Sequence, residues 1–131
     1  MTDQKFAKAN DEFRKQSIDL FFNANGRSIN IFNHFDKYRF SSLEGALVLT
    51  HGFDKLRRRS KDALLKKVAE YIEFDPGNDP YGLHDFGIVN TKTYEAWWKI
   101  DCFEDINCQN SPIDFEDVGY RLLTIYLPEE H

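Results

Sequence analysis

The sequence predicts an α+β domain in which a mostly antiparallel sheet carries helices packed on one face. A long stretch from Phe53 to Phe74 repeats its apolar residues with the 3.6-residue period of a helix. Three later segments have the apolar patterning of strands, and turn-forming residues separate them. Apolar residues make up 41% of the 131 residues, which is ample material for one core. We therefore expect a single domain over residues 1–131 with the order α–ββ–β–α–βββ.

The first part of the chain predicts a short helix followed by a β-hairpin and a strand. The helix is expected to end near Gln16, since apolar residues recur before it at helical spacing. Residues 17–32 then alternate on both sides of Asn25-Gly26, a dipeptide that supplies the two positive φ values of a type I′ turn. We interpret residues 17–32 as a hairpin and residues 46–50 as a short buried strand.

The main helix is predicted from Phe53 to Phe74, with a break and a new cap near Ser60 and Asp62. Its polar face carries Lys55, Arg57, Arg58, Arg59, Lys61, Lys66 and Lys67. This face could bind nucleic-acid phosphate, but in a chain with a pI of about 5.3 it could equally be a solvated surface. We do not expect direct nucleic-acid binding. Residues 75–82, DPGNDPYG, contain two Asp-Pro steps and two glycines, which predict a tight double turn after the helix.

The second half of the chain predicts three strands. The segments 85–89 and 94–103 are joined by a turn at residues 90–93, and a last strand runs from about Tyr120 to Tyr126. Adjacent positions on a strand face opposite sides, so Trp97 and Trp98 should point in opposite directions. One ring can then fill the core while the other lies at a surface or an interface.

Charge is unevenly distributed along the chain. Residues 1–67 contain 14 Lys and Arg against 8 Asp and Glu, whereas residues 68–131 contain 3 against 14. If the halves stay apart in space, the molecule has an acidic face suited to basic partners. If the halves interleave, the two fields largely cancel.

Several classes of protein and of site are not supported by the sequence. No signal peptide or apolar run long enough to span a bilayer is present, so we expect a cytoplasmic protein with no membrane association. Cys102 and Cys108 are too few for a disulfide framework and should be reduced thiols. The four histidines stand apart, and residues 75–82 do not match a calcium loop. We therefore expect neither a metal nor a cofactor.

Three segments together resemble a family of small bacterial proteins of unknown function. They are NDPYGLHDFG at 78–87, WWKIDCF at 97–103 and RLLTIYL at 121–127, which are similar to family segments of the type NDPYGEHDFG, WKIDYY and RVLTIML. The chain departs from that pattern at Leu83, where the family has Glu, and at Cys102 and Phe103, where it tends to have Tyr. The resemblance implies a shared fold and an association with plasmids and other mobile elements. It implies no activity.

One candidate site is an enzyme site around His84 and Asp85. A histidine beside carboxylates can act as a general acid or base, with Asp101 close by in an antiparallel sheet. Lys99 or Arg121 could then hold a phosphate or carboxylate group. Such a set would suit a small hydrolase or nuclease. Alternatively, His84 and Asp85 only bond the backbone of the double turn, since no nucleophile-plus-base motif accompanies them.

The leading hypothesis is a non-enzymatic protein of mobile elements that binds a basic protein partner. A more specific form is an anti-defence inhibitor that occupies the groove of a restriction or CRISPR nuclease, because such grooves attract phosphate charge. A plain structural or regulatory subunit is a further alternative. The residues expected to contact the partner are Glu104, Asp105, Asp114, Glu116, Asp117, Trp97 and Trp98.

Overall fold

The computed structural model describes residues 2–23, 30–31, 45–112, 114 and 117–130. Its elements are α1 (Thr2–Asn23), β1 (Asn30–Ile31), β2 (Gly45–Leu49), α2 (His51–Asp54), α3 (Arg58–Ala69), β3 (Phe86–Asn90), β4 (Glu95–Phe103), β5 (Tyr120–Tyr126) and a 3₁₀ helix (Pro128–Glu130). The predicted α+β class is confirmed. No helix among these residues is both long enough and apolar enough to cross a bilayer.

The strands form one mixed sheet in the order β1-β2-β5-β4-β3. The β2–β5 pair is parallel, and the other three pairs are antiparallel. The sheet is therefore mostly antiparallel, as predicted. Because β2 comes from the basic half of the sequence and pairs with β5 from the acidic half, the two halves interleave. The charge difference along the chain consequently does not translate into two separate charged halves of the molecule.

The core lies between one face of the sheet and helices α1 and α3. The register places Trp98 between Gly87 and Ile125, and Ile100 beside Leu123, on this face. Helix α1 contributes Phe13, Ile18 and Phe21 to the core, and α3 contributes Leu64, Leu65 and Val68. Trp98 is the largest fully buried side chain of the described residues. The prediction of helices on one face of the sheet is confirmed.

The predicted hairpin at residues 17–32 is wrong in its first strand. Helix α1 does not end near Gln16 but continues to Asn23. Ile18 and Phe21 are buried, whereas Leu20 and Phe22 are only half-buried, which is a helical pattern. The Asn25-Gly26 turn lies outside the described residues, and only Asn30–Ile31 of the predicted second strand is described, paired with β2.

The main helix is interrupted earlier than predicted. Helix α2 ends at Asp54, Arg57 is extended with ψ 145°, and α3 then begins at Arg58. Asp62 does not cap a helix start but lies 3.6 Å from Arg58 one turn earlier. Glu130 accepts hydrogen bonds from the Thr50 hydroxyl and the Gly52 N–H, which fixes the start of α2 independently of α3. The helix also ends at Ala69, before the predicted Phe74.

The strands of the second half are found where the sequence placed them. β3 and β4 pair antiparallel through the turn after Asn90, and β5 spans Tyr120–Tyr126. β2 likewise matches the predicted strand at residues 46–50 to within one residue.

Candidate functional site

The double turn after α3 is built from side chains that bond its own backbone. Asp75 accepts hydrogen bonds from the N–H groups of Gly77 and Asn78. In return, the Asn78 side-chain oxygen accepts a hydrogen bond from Asp75 N–H, and its amide nitrogen donates one to the Glu73 carbonyl. Short polar side chains stabilise tight turns in this way because they replace backbone partners that the turn cannot supply.

Asp79 organises the second turn and sets the conformation of His84. The Asp79 carboxylate is buried and accepts hydrogen bonds from the N–H groups of Leu83 and His84. Gly82 has φ +66° and His84 has φ +56°, so the chain passes twice through the left-handed region within three residues. For His84, which has a Cβ, this conformation is unfavourable and must be offset by contacts.

Those contacts come from α1 and from the segment after α3. His84 Nδ1 lies 3.0 Å from a carboxylate oxygen of Asp11 on α1. The imidazole stacks on Phe74 with ring centres 3.8 Å apart and planes 3° from parallel. Its Nε2 lies 3.8 Å from Asp79. His84 therefore connects α1 to the double turn through its Nδ1 bond to Asp11 and its stacking on Phe74.

Arg14 is a second residue that connects α1 to α3 and the segment after it, and its side chain is almost completely buried. Its guanidinium donates to the carbonyls of Val68 and Tyr71, at 2.9 Å each, and to Asp11 at 3.0 Å. Carbonyls at the end of a helix have no partners within the helix, so Arg14 caps the C-terminal end of α3. The guanidinium also lies 4.7 Å from the centre of the Trp98 ring, within the range of a cation–π contact.

A third polar connection runs from α1 to the sheet through Asn10. Its amide donates to the Leu83 carbonyl, and its Oδ1 accepts a hydrogen bond from Arg121 Nε at 2.8 Å. The Cys102 thiol also lies near this oxygen. Burial raises the pKa of the Cys102 thiol, and the neighbouring Arg121 charge opposes that shift only in part. Cys102 is thus disfavoured as a thiolate nucleophile. Both Cys102 and Cys108 are free.

The predicted enzyme residues His84, Asp85 and Asp101 lie close together. Burial raises the pKa of the Asp85 carboxyl, and the carboxylates of Asp79 and Asp101 raise it further. A carboxyl with a raised pKa suits a general acid. However, Asp101 bonds to the exposed Lys99 at 3.5 Å, and the described residues contain no cluster of three or more His, Cys, Asp or Glu that could hold a metal ion.

Two clefts of about 380 and 610 Å³ are formed by described residues, and neither is lined by His84 or Asp85. His84 Nδ1 is already bonded to Asp11 within the protein. The cluster of Asp11, Arg14, Asp79 and His84 is therefore suited to joining α1, α3 and the double turn.

The acidic residues predicted to bind a partner lie in the connection from β4 to β5, which we call the acidic loop (residues 104–117). Glu104, Asp105, Asp114 and Asp117 are exposed, whereas Glu116 lies outside the described residues. The side chains of Glu104, Asp114 and Asp117 form no hydrogen bond or ion pair with another described residue. Ile106, within the same loop, is 58% exposed.

The two tryptophans point in opposite directions, as the strand pattern predicted. Trp98 is completely buried, so its assignment as a partner-contacting residue is wrong. Trp97 is half-buried on the other face of the sheet, where its ring meets Phe86 and Tyr126 at 5.8 and 6.0 Å. Its indole N–H donates to Glu95 at 2.8 Å.

Sequence reasoning missed the contribution of α1 to this region. Arg14 follows Asn10 by four residues and Asp11 by three, which is the spacing of one helix face. No local sequence motif marks these residues. A charged Arg14 flanked by the apolar positions of an amphipathic helix was the available signal, because such a residue is buried only when it is paired.

Comparison with known proteins identifies a family. Residues 49–130 match the family described as Protein of unknown function (DUF3768), from the end of β2 to the 3₁₀ helix. The match includes the double turn and the acidic loop, while α1 precedes it. No curated protein and no solved structure matches the chain. Because the match covers well over half of the sequence, the chain belongs to the DUF3768 family of proteins of unknown function.

Proposed function

We propose that the protein is a non-enzymatic binding protein that captures a basic partner protein through the acidic loop. The observation that carries this proposal is the set of exposed carboxylates in that loop, which are not neutralised by any described cation. Residues 104–119 contain five Asp and Glu and no Lys, Arg or His, so the loop is a local source of negative field. The proposal does not require the whole C-terminal half to form one acidic face.

The two ends of the connection are held close together, which favours recognition over a purely solubilising role. Gly119 N–H bonds to the Phe103 carbonyl across the ends, and Glu104 N–H bonds to the Asn110 carbonyl within the first part of the loop. A Cβ on Gly119 would lie 2.2 Å from the Glu104 carbonyl oxygen, so the two ends of the loop approach too closely for any other residue. A preorganised loop loses less conformational entropy on binding than a flexible one.

Ile106 supports the same binding surface because it is an exposed apolar residue that a partner could bury. It is a large apolar residue that is 58% exposed and directly follows Glu104 and Asp105. Binding sites commonly combine an apolar anchor that becomes buried with a polar rim that sets the association rate. We expect Ile106 to contribute mainly to the lifetime of the complex and the carboxylates mainly to its rate of formation.

The finer form of the proposal concerns the partner. A nuclease of a restriction or CRISPR system holds nucleic acid in a basic groove, and an acidic loop can occupy such a groove in place of phosphate. The resemblance to a bacterial family associated with mobile elements favours this partner, since mobile DNA gains from inhibiting host defence. We infer an anti-defence role in bacterial cytoplasm as the most specific version of the binding hypothesis.

The alternative, a small hydrolase or nuclease using His84, Asp85 and Asp101, is less well supported. The imidazole is bonded to the Asp11 carboxylate and stacked on Phe74, and the double turn accounts for the polar residues around it. A regulatory subunit without an acidic interface would also lack catalytic residues, and the charge experiment below separates it from the proposal.

The test uses two variants of equal charge. Glu104→Lys/Asp117→Lys reverses two loop carboxylates, and Asp19→Lys/Glu129→Lys reverses two exposed carboxylates elsewhere, so both change net charge equally. Tagged proteins are used to capture partners from a lysate of the source organism, and captured proteins are identified by mass spectrometry. We expect a basic protein that is retained by the wild type and the control variant and lost from the loop variant. If both variants retain the same proteins, the acidic loop is not the binding surface.

A further inference from the structure

Strand β3 is the outermost strand on one side of the described sheet, and no described strand pairs with its outer edge. Its ladder bonds to β4 involve alternate residues, as shown by the bonds from Ile100 N–H to Asp85 and from Thr91 N–H to Tyr94. In an antiparallel pair the intervening residues point their N–H and C=O groups the other way. The backbone groups of Phe86, Ile88 and Asn90 are therefore directed away from β4.

Strand β3 itself carries none of the residues that usually prevent another strand from pairing with an edge, although the Tyr71 hydroxyl occupies the outward N–H of Ile88. Sheet edges are commonly protected by Lys, Pro, a bulge or inward-pointing charge. The strand reads Phe-Gly-Ile-Val-Asn, and its register with β4 is continuous over all five residues. Ile88 is 39% exposed. The strand is thus uncharged and has no bulge, and no strand of the described residues pairs with its outer edge.

A cleft of about 380 Å³ lies against this edge. One wall is β3 from Ile88 to Asn90, and the other is the end of α3 and the segment Tyr71–Glu73. The Tyr71 hydroxyl joins the two walls, because it donates to the Glu73 carbonyl at 3.2 Å and accepts a hydrogen bond from Ile88 N–H. The C=O of Ile88 and both backbone groups of Asn90 are left without a partner among the described residues.

We propose that this cleft binds an extended peptide segment of a partner protein by strand addition to β3. The three outward backbone groups would pair with the peptide main chain. Ile72, which is 79% exposed and lines the cleft, would be covered by an apolar peptide side chain. Glu70 and Glu73 outnumber Lys67 on the same wall, so a Lys or Arg of the peptide is favoured there.

The geometry favours a peptide over a second copy of this chain. The segment Tyr71–Glu73 lies beside the edge and forms the opposite wall of the cleft. The β3 edge of a second folded copy would bring its own segment Tyr71–Glu73 into the same space. A copy pairing edge to edge would therefore require both segments to move.

This surface is separate from the acidic loop and does not depend on the proposed function. Asn90 pairs with Glu95 at one end of β4, whereas the loop begins after Phe103 at the other end. Eight residue steps of strand separate them, roughly 26 Å. Loss of binding at one surface should leave the other unaffected.

The experiment compares two substitutions of one residue. Asn90→Pro removes the outward N–H, and Asn90→Thr keeps it while changing the side chain to a similar extent. An outward-facing N–H on an edge strand is not needed by the fold, so both variants should melt close to the wild type. A displayed library of random short peptides is selected on the wild-type protein, and the selected peptides are titrated against all variants by fluorescence anisotropy.

We expect selected peptides with alternating apolar residues and at least one Lys or Arg. They should bind Asn90→Thr as they bind the wild type and Asn90→Pro at least about tenfold more weakly. Should Asn90→Pro fail to fold, Ile72→Ser and Glu70→Lys/Glu73→Lys test the same cleft, each with weaker binding expected. Peptides that bind all variants equally, or a selection that yields no binder, would overturn the proposal. So would a wild-type dimer in sedimentation that Asn90→Pro dissociates, since a second copy would then fill the edge.

Discussion

Replacing His84 with Ala distinguishes a structural role of this residue from a catalytic one. The substitution removes the bond to Asp11 at 3.0 Å and the stacking on Phe74 at 3.8 Å. A hydrogen bond to a carboxylate contributes about 1.5–3 kcal/mol, and a stacked ring pair contributes about 0.5–1.5 kcal/mol. Asp11 is 30% exposed and remains paired with Arg14, so the lower end of each range applies. We expect a loss of about 2 kcal/mol in the free energy of unfolding.

The loss should appear as a decrease in Tm of roughly 8 °C for a domain of this size. Thermal unfolding followed by circular dichroism measures it, and urea unfolding gives the free energy directly. The left-handed φ of +56° provides an internal control, since His84→Gly relieves a backbone strain that His84→Ala retains. The Gly variant should therefore be more stable than the Ala variant, which is the reverse of the usual order.

A Tm of His84→Ala within about 2 °C of the wild type would refute this reasoning, because no set of compensating contacts is available at the site. If the same variant also lost a nucleic-acid or ester hydrolysis activity present in the wild type, the enzyme alternative would replace the binding hypothesis. A matched loss of stability in both Ala and Gly variants would show that the ring contacts matter and the backbone strain does not.

The remaining stability predictions concern buried contacts of the same region. Arg14→Met keeps the length of the side chain but removes the donor to the Tyr71 carbonyl and one of the two donors to the Val68 carbonyl, and should cost about 3 kcal/mol in urea unfolding. Gly87→Val places a Cβ 2.5 Å from the indole nitrogen of the fully buried Trp98, so it should cost about 3 kcal/mol. Gly82→Val meets no neighbouring atom but must adopt φ +66°, and should cost about 1–2 kcal/mol. An equal cost at Gly82 and Gly87 would contradict the distinction between strain and overpacking.

The later strands could be predicted because their local signals agree with their environment. β5 was found at Tyr120–Tyr126, where a short apolar run precedes a proline. In β4 the alternation placed Trp97 and Trp98 on opposite faces, and burial follows that alternation. Where local pattern and tertiary packing coincide in this way, sequence alone determines the element.

The start of the chain shows the opposite case. Ile18, Leu20 and Phe22 alternate like a strand, but Ile18 and Phe21 together with Phe13 also fit a helical face. The apolar residues of this segment fit both the two-residue period of a strand and the 3.6-residue period of a helix, so the pattern alone does not distinguish the two. The helix already formed before Gln16 extends at little cost, since adding a residue is far easier than nucleating a new element.

The polar contacts between distant segments could not be predicted. His84 and Asp11 are 73 residues apart, and Asn10 and Arg121 are 111 residues apart. No periodicity relates such pairs, and the nearest sequence signal was the presence of charged residues at otherwise apolar helix positions. The sequence could therefore mark His84 as a candidate but could not show that its Nδ1 bonds to the Asp11 carboxylate of α1.

The central claim, that the acidic loop captures a basic partner, is tested most directly by association kinetics. The partner identified by capture is immobilised, and the association rate constant is measured for the wild type, Glu104→Lys/Asp117→Lys and Asp19→Lys/Glu129→Lys at salt concentrations from about 0.05 to about 0.5 M. The account predicts that salt slows association of the wild type by at least about tenfold, and that the loop variant associates slowly at every salt concentration while the control variant follows the wild type. Equal rates for the two variants, or a wild-type rate that does not change with salt, would contradict it.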